Sequence, residues 1–251
     1  MNNFSYWNYT DMRFGRGVEE KAGELTAQFG KKCLLHYGGG SIKKSGLFDR
    51  VASSLKAAGV EIVELGGVAP NPRLSKVYEG IDLCRKEGVD VILAVGGGSV
   101  IDSAKAIAWG VKYDGDVWDF FTGAASLDNK ERIPLGAIPT LPAAGSECSY
   151  SMVISKEETQ EKLASNYPRT RPEFALLNPE LTFTLPPFQT ACGIADSLAH
   201  IMERYFTNTE HVDMTDRMCE AVMKTIILNA PVVMANPTDY DARAELMWAA
   251  S

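Results

Sequence analysis

Apolar runs alternate with stretches of helical period through the first half of the chain. The clearest run, Val91-Ile-Leu-Ala-Val95, has no polar alternation, which suits a strand buried on both faces of a parallel sheet. It stops at Gly96-Gly-Gly98, and Ser99–Trp109 continues with helical spacing. Upstream, Gly17–Phe29 reads as a helix, Cys33–Tyr37 as a short buried strand and Gly38–Ser41 as a turn. Leu47–Ala58 reads as a helix ended by Gly59, Val60–Leu65 as a strand and Gly66–Pro72 as a loop. Leu74–Glu87 is predicted helical, with Leu74, Val77, Ile81, Leu83 and Cys84 supplying most of its apolar face, and Val89–Val95 is the strand after it. Such alternation predicts an α/β fold with right-handed crossovers and helices on both faces of a parallel sheet. Ligands of such sheets sit at the carboxyl ends of the strands, the edge both glycine turns occupy.

Further along, the pattern changes. Ile133–Pro139 predicts a strand entering the loop Thr140–Ser146, and Ser149–Ile154 and Phe174–Leu177 predict strands separated by a polar connection. The paired prolines of Thr184-Leu-Pro-Pro187 end extended structure and can open a helix. From Phe188 the pattern is helical, with Met218, Val222, Ile226 and Leu228 marking one apolar helix and Ala242–Ala250 another. The expected organisation is an α/β domain over residues 1–180 and the start of an all-helical domain over 181–251.

Composition narrows the setting. The 251 residues are 45% hydrophobic and 23% charged, as in soluble globular proteins. A net charge of −7 argues against nucleic acid or an anionic membrane as partner. No apolar stretch reads as long enough to span a bilayer. Cys33, Cys84, Cys148, Cys192 and Cys219 are scattered, odd in number and without C-x-x-C spacing, which predicts reduced thiols and a cytoplasmic location. Met1–Trp7 carries neither a basic leader nor an apolar core, so no secretion signal is expected.

Three places could carry chemistry. Gly96, Gly97 and Gly98 strip side chains from the turn before a helix, so a bulky anion can approach amides where the macrodipole favours negative charge. The same glycines would equally serve tight packing. Gly38-Gly-Gly-Ser41 follows the earlier strand. A carboxylate near such a position would bond an adenosine ribose and repel a 2′-phosphate. This loop carries none, and Ser41, Lys43 and Lys44 stand close by, which favours NADP(H) over NAD(H). The lysines also suit a solvated helix face. Thr140 and Ser146 bring hydroxyls to the same edge, and Lys162 is expected just after a strand, within reach of the same ligand. The fingerprint G-x-G-x-x-G is absent, as are the G-x-S-x-G elbow and the Walker G-x-x-x-x-G-K-[ST].

Third, Asp196 and His200 stand four apart on a predicted helix, so a carboxylate oxygen and an imidazole nitrogen can converge on one cation. A mixed O/N pair suits Fe²⁺ or Zn²⁺ better than Ca²⁺ or Mg²⁺. A simple His–Asp hydrogen bond uses the same spacing. Neither His36 nor His211 offers a route to this helix.

Taken in order, several segments resemble the iron-containing (group III) alcohol dehydrogenase family, in its butanol dehydrogenase and NADPH-dependent aldehyde reductase branch. They are Phe14-Gly-x-Gly17, Tyr37-Gly-Gly-Gly-Ser-Ile-Lys-Lys44, Pro70-Asn-Pro72 and Ala94-Val-Gly-Gly-Gly-Ser-Val-Ile-Asp102. Pro139-Thr140 with Gly145-Ser-Glu147, Leu185-Pro-Pro187 and Asp196-x-x-x-His200 complete the set, so the likeness covers essentially the whole chain. The resemblance implies an N-terminal dinucleotide-binding domain followed by a helical metal-binding domain. It assigns Gly97, Gly98 and Ser99 to the pyrophosphate, with Asp102 in the same motif, and Gly39, Gly40, Ser41 and Lys43 to the adenosine end. Thr140 and Leu141 would line the cofactor, with Ser149, Lys162 and Leu185 as further contacts. Asp196 and His200 match the first two of four metal ligands, the metal acting as a Lewis acid on the substrate oxygen during hydride transfer. The implied substrate is a primary alcohol or aldehyde such as butanol or butanal, and the implied assembly a homodimer.

The family's other two ligands are histidines on later helices, and this sequence has no histidine after His211. Ala144 also stands where relatives often carry a hydroxyl. The chain is therefore expected to be a fragment holding half a metal site. Two alternatives stand beside that reading: a non-catalytic nucleotide-binding remnant or partner-dependent fragment, and an enzyme like glycerol dehydrogenase or dehydroquinate synthase. The Tyr37–Lys44 block and the Gly145-Ser-Glu147 loop favour the alcohol dehydrogenase branch over the latter.

Overall fold

The apolar runs become the strands of one parallel sheet in the computed structural model, which describes residues 2–251. Two units emerge, one of residues 8–140 and 146–177, the other of 2–7, 141–145 and 178–251.

In the first unit the elements run β1 (Asp11–Phe14), α1 (Ala22–Thr26), β2 (Lys32–Tyr37), α2 (Ser41–Lys44), α3 (Leu47–Ala57), β3 (Glu61–Leu65) and α4 (Leu74–Glu87). They continue as β4 (Val91–Gly96), α5 (Gly98–Val111), α6 (Asp119–Thr122), β5 (Leu135–Pro139), β6 (Ser151–Lys156), β7 (Glu161–Asn166) and β8 (Phe174–Leu177). The sheet order is β1-β8-β5-β4-β2-β3, all parallel. From β2 the chain crosses outward to β3, and from β4 it crosses the opposite way to β5. The crevice between β2 and β4 is thus a switch point, the place where α/β sheets bind ligands. Tyr37 pairs with Val95 and Gly96 with Pro139, which brings the ends of β2, β4 and β5 side by side. Ile92 and Leu93 are fully buried, each burial worth on the order of 2 kcal/mol, and Ile101, Ile107 and Trp109 of α5 are buried with them.

Several expectations are corrected. The helix predicted over Gly17–Phe29 is a 3₁₀ turn at Val18–Lys21 followed by the single-turn α1. At their junction Ser54 Oγ accepts from the Gly23 amide (2.9 Å) and donates to the Glu20 carbonyl (2.6 Å), inserting a side chain into the ladder. The polar connection between two predicted strands is itself a strand: β6 and β7 form an antiparallel hairpin, and β6 begins at Ser151. β1 was not predicted; it exists by pairing with β8.

The second unit holds α7 (Pro187–Tyr205), α8 (Asp213–Ala235) and α9 (Tyr240–Ala249). Pro187 opens α7 with φ already helical, and the Asp239 side chain caps α9 by accepting from the Ala242 amide at 3.0 Å. α8 buries Cys219, Ile226 and Val233, seven residues apart and therefore on one face. Ile226 and Val233 pack with Ala242 and Leu246 of α9 and with Ile194 and Leu198 of α7. Against the expectation that no segment could span a bilayer, α8 is long and apolar enough by length and composition alone. Its early charges Asp213, Asp216 and Arg217 obscure this, because the remaining turns carry only Glu220 and Lys224.

Candidate functional site

The end of β4 is built for close approach to backbone. A Cβ on Gly96 would lie 2.5 Å from Val100 Cγ2, so only glycine lets α5 start so near the strand. Gly97 is the extended N-cap of α5 and offers no side-chain cap. The amides of Val100 and Ile101 close onto the Gly97 carbonyl (2.9 and 3.3 Å), while those of Gly98 and Ser99 lie in the first turn, where no helical acceptor exists. Gly97, Gly98 and Ser99 are all partly exposed, so an anion can reach them. At the next strand end the Thr140 amide donates to the Gly96 carbonyl at 3.0 Å, fixing Thr140 beside the glycine turn.

Asp102, one turn further along α5, points inward. It accepts from the Ser146 hydroxyl and, at 3.1 Å, from the Val153 amide. Beside it the ammonium of Lys105 is fully buried and donates to Ser146 Oγ (3.1 Å), the Ser149 carbonyl (3.0 Å) and the Ser151 carbonyl (2.7 Å). Burial pushes the Lys105 ammonium down and the Asp102 carboxyl up from their ordinary values, each charge opposing the other's shift. These residues tie the Ser146–Ser151 segment to α5. Ser149 spends its carbonyl there, and its hydroxyl accepts from the Ser151 amide at 3.1 Å. Sequence reasoning missed Lys105, because a lysine on a helix reads as solvated.

The Gly38–Ser41 turn differs from expectation in one respect. Gly39 and Gly40 are exposed, with nothing within 4 Å of where a Cβ would stand, and Ser41 opens α2 beside them. A carboxylate is nonetheless present: Glu64 of β3 accepts from Lys43 at 2.5 Å and from the Tyr37 hydroxyl. These two donors, Lys43 foremost, hold the Glu64 carboxyl below the usual range, and Glu64 raises Lys43 to about 12. The loop itself carries no carboxylate, but one from the neighbouring strand stands against Lys43.

Lys162 follows β6, as expected, but lies within the further strand β7, and its ammonium donates to Asn71 Oδ1 at 2.8 Å. Asn71 sits at φ 56° between Pro70 and Pro72, in the loop after β3. The hairpin and the Pro70-Asn-Pro72 loop are thus joined at the carboxyl edge of the sheet.

In the second unit Leu141 and Leu185 line an apolar recess with Pro142, Ile194, Ser197 and Arg243. A Cβ on Gly193 would fall 2.5 Å from the Pro142 carbonyl, and Ser197 donates to the Ala143 carbonyl at 2.9 Å, so α7 is pressed against this loop. Asp196 and His200 lie on α7 with Oδ2 and Nε2 3.8 Å apart, both side chains nearly half exposed. Two donors on one tetrahedral ion with ~2.1 Å bonds stand about 3.4 Å apart, so the pair fits as two ligands of one divalent metal. Glu203 Oε2 lies 3.8 Å from Nδ1, beyond hydrogen-bond distance. Among the described residues no third His, Cys, Asp or Glu joins the pair in a metal-holding group.

Residues 10–179 match the profile described as iron-containing alcohol dehydrogenase, and residues 190–251 match that of the Fe-containing alcohol dehydrogenase family, C-terminal. The chain is 46% identical to the probable NADH-dependent butanol dehydrogenase 2 of Bacillus subtilis, over 99% of this chain and 63% of that protein. It is 39% identical to the NADPH-dependent aldehyde reductase YqhD of Escherichia coli, over 100% of this chain and 64% of that protein. The crystal structure of NADH-dependent butanol dehydrogenase A from Thermotoga maritima superposes with a TM-score of 0.96 at 42% identity, covering 100% of this chain and 62% of that one. The chain therefore spans about 63% of the length of such relatives.

Proposed function

Because the chain belongs to the iron-containing alcohol dehydrogenase family, we propose that it carries the cofactor domain and the first metal ligands of an oxidoreductase acting on primary alcohols and aldehydes such as butanol and butanal. The observation that carries this reading is the bare turn Gly96–Gly98 at the switch point of a parallel sheet, opening a helix with free first-turn amides. Residues 1–180 serve as the dinucleotide-binding domain and 181–251 begin the metal domain. Gly97, Gly98 and Ser99 bind the pyrophosphate through their amides, and Asp102 acts from behind by holding Ser146 against α5. Gly39, Gly40, Ser41 and Lys43 receive the adenosine ribose, and the positive charge of Lys43 and Lys44 favours NADP(H) over NAD(H). Thr140, Ser149 and Lys162 supply further cofactor contacts within the first unit; Leu141 and Leu185 are assigned to the cofactor by the family resemblance alone. Asp196 and His200 hold Fe²⁺ or Zn²⁺, which when bound supplies Lewis-acid polarisation of the substrate oxygen. That none of the five cysteines forms a disulfide among the described residues supports a cytoplasmic location, and the exposed Phe188, Met214 and Leu228 support a homodimer.

A non-catalytic nucleotide-binding role is the second reading, favoured by a metal pair with no third donor among the described residues. Dinucleotide titration followed by butanal-dependent NADPH oxidation with added Fe²⁺ or Zn²⁺ separates the two. Binding with turnover supports the dehydrogenase, binding without turnover supports the second reading, and absence of binding rejects both. Lys43→Ala with Lys44→Ala should weaken NADPH binding more than NADH binding; equal losses would remove the 2′-phosphate argument.

A further inference from the structure

The charge balance of the adenosine end is set from a neighbouring strand. Glu64 Oε1 receives both the Lys43 ammonium and the Tyr37 hydroxyl, while Lys43 Nζ lies 4.6 Å from the Phe48 ring centroid and 5.2 Å from that of Tyr37. Lys43 is therefore held by one charge and two aromatic faces beside the open Gly39–Gly40 turn. A 2′-phosphate arriving at that turn meets an ammonium whose charge Glu64 already offsets. A 2′-hydroxyl meets a carboxylate able to accept its hydrogen bond. We infer that Glu64 is a specificity-determining residue, narrowing the preference for NADPH that Lys43, Lys44 and Ser41 would otherwise produce and keeping NADH acceptable. This rests on the dinucleotide reading above and concerns the same pocket.

Glu64→Gln tests it, since glutamine keeps the size and the hydrogen bond to Tyr37 and removes the charge. Affinities of NADPH, NADH, adenosine 2′,5′-bisphosphate and 5′-AMP are measured by calorimetry at low salt, with thermal melting to verify the fold. The variant should bind NADPH and the bisphosphate about two- to fivefold more tightly, as befits an exposed charge pair. NADH and AMP should gain nothing. The improvement should shrink at high salt and vanish in the Glu64→Gln/Lys43→Met double variant. Equal shifts for NADPH and NADH, or a gain that survives loss of Lys43, overturn the role of Glu64 and leave the dinucleotide reading intact. Failure of the unaltered chain to bind any of the four ligands overturns both.

Discussion

Gly96 and Val100 are matched so closely that a single methyl group on the first would sit 2.5 Å from Cγ2 of the second. Val100 is buried and has little room to retreat. Gly96→Ala should therefore push α5 off the strand end, at about 1–3 kcal/mol of overpacking. The urea midpoint should fall and NADPH affinity with it, because the Gly98 and Ser99 amides move. An unchanged midpoint would show that the turn has slack.

Lys105 is the buried cation that joins α5 to the segment entering β6. Removing it in Lys105→Met strands the Asp102 carboxylate and the carbonyls of Ser149 and Ser151, which should cost about 3–5 kcal/mol. Adding Asp102→Asn should recover part of that loss, since the orphaned charge goes too. Denaturant curves of the two single variants and the double variant measure the coupling. Simple additivity would mean that the two residues act independently.

Burial lowers His36 to about 4, and the ring is held neutral between the Leu65 carbonyl, to which Nδ1 donates at 3.0 Å, and the Ser103 hydroxyl on Nε2 at 3.0 Å. The unfolded chain takes up this proton near pH 6.5, well before the folded one does. Stability from this group is thus full above pH 6.5 and is lost as pH falls toward 4, by up to about 3 kcal/mol. Unfolding free energies across that range should slope less in His36→Gln. Parallel slopes would assign the acid sensitivity to other groups.

Asp196→Ala and His200→Ala should each weaken zinc binding by the purified chain, measured by competition with a chromophoric chelator, while leaving NADPH affinity unchanged. Zinc affinity indifferent to both substitutions would make the pair an ordinary helix-face contact. Loss of NADPH binding would show that the variants disturb α7 as a whole.

What was legible in the amino-acid order had a local cause. Val91–Val95 lacks alternation because both faces of β4 are covered, and Gly96–Gly98 announces a turn because nothing larger fits there. Asp196 and His200 share a face because helices repeat every 3.6 residues. Each of these properties lies within a few residues of chain and needs no partner to be read. The partners themselves were decided by the tertiary structure. Glu64 meets Lys43 across 21 residues, Ser146 meets Asp102 across 44, and Lys162 meets Asn71 across 91. β1 is extended only because β8 lies alongside. The order of strands in the sheet chooses those neighbours, and the crossovers that set it leave no periodic trace in the residues they bring together.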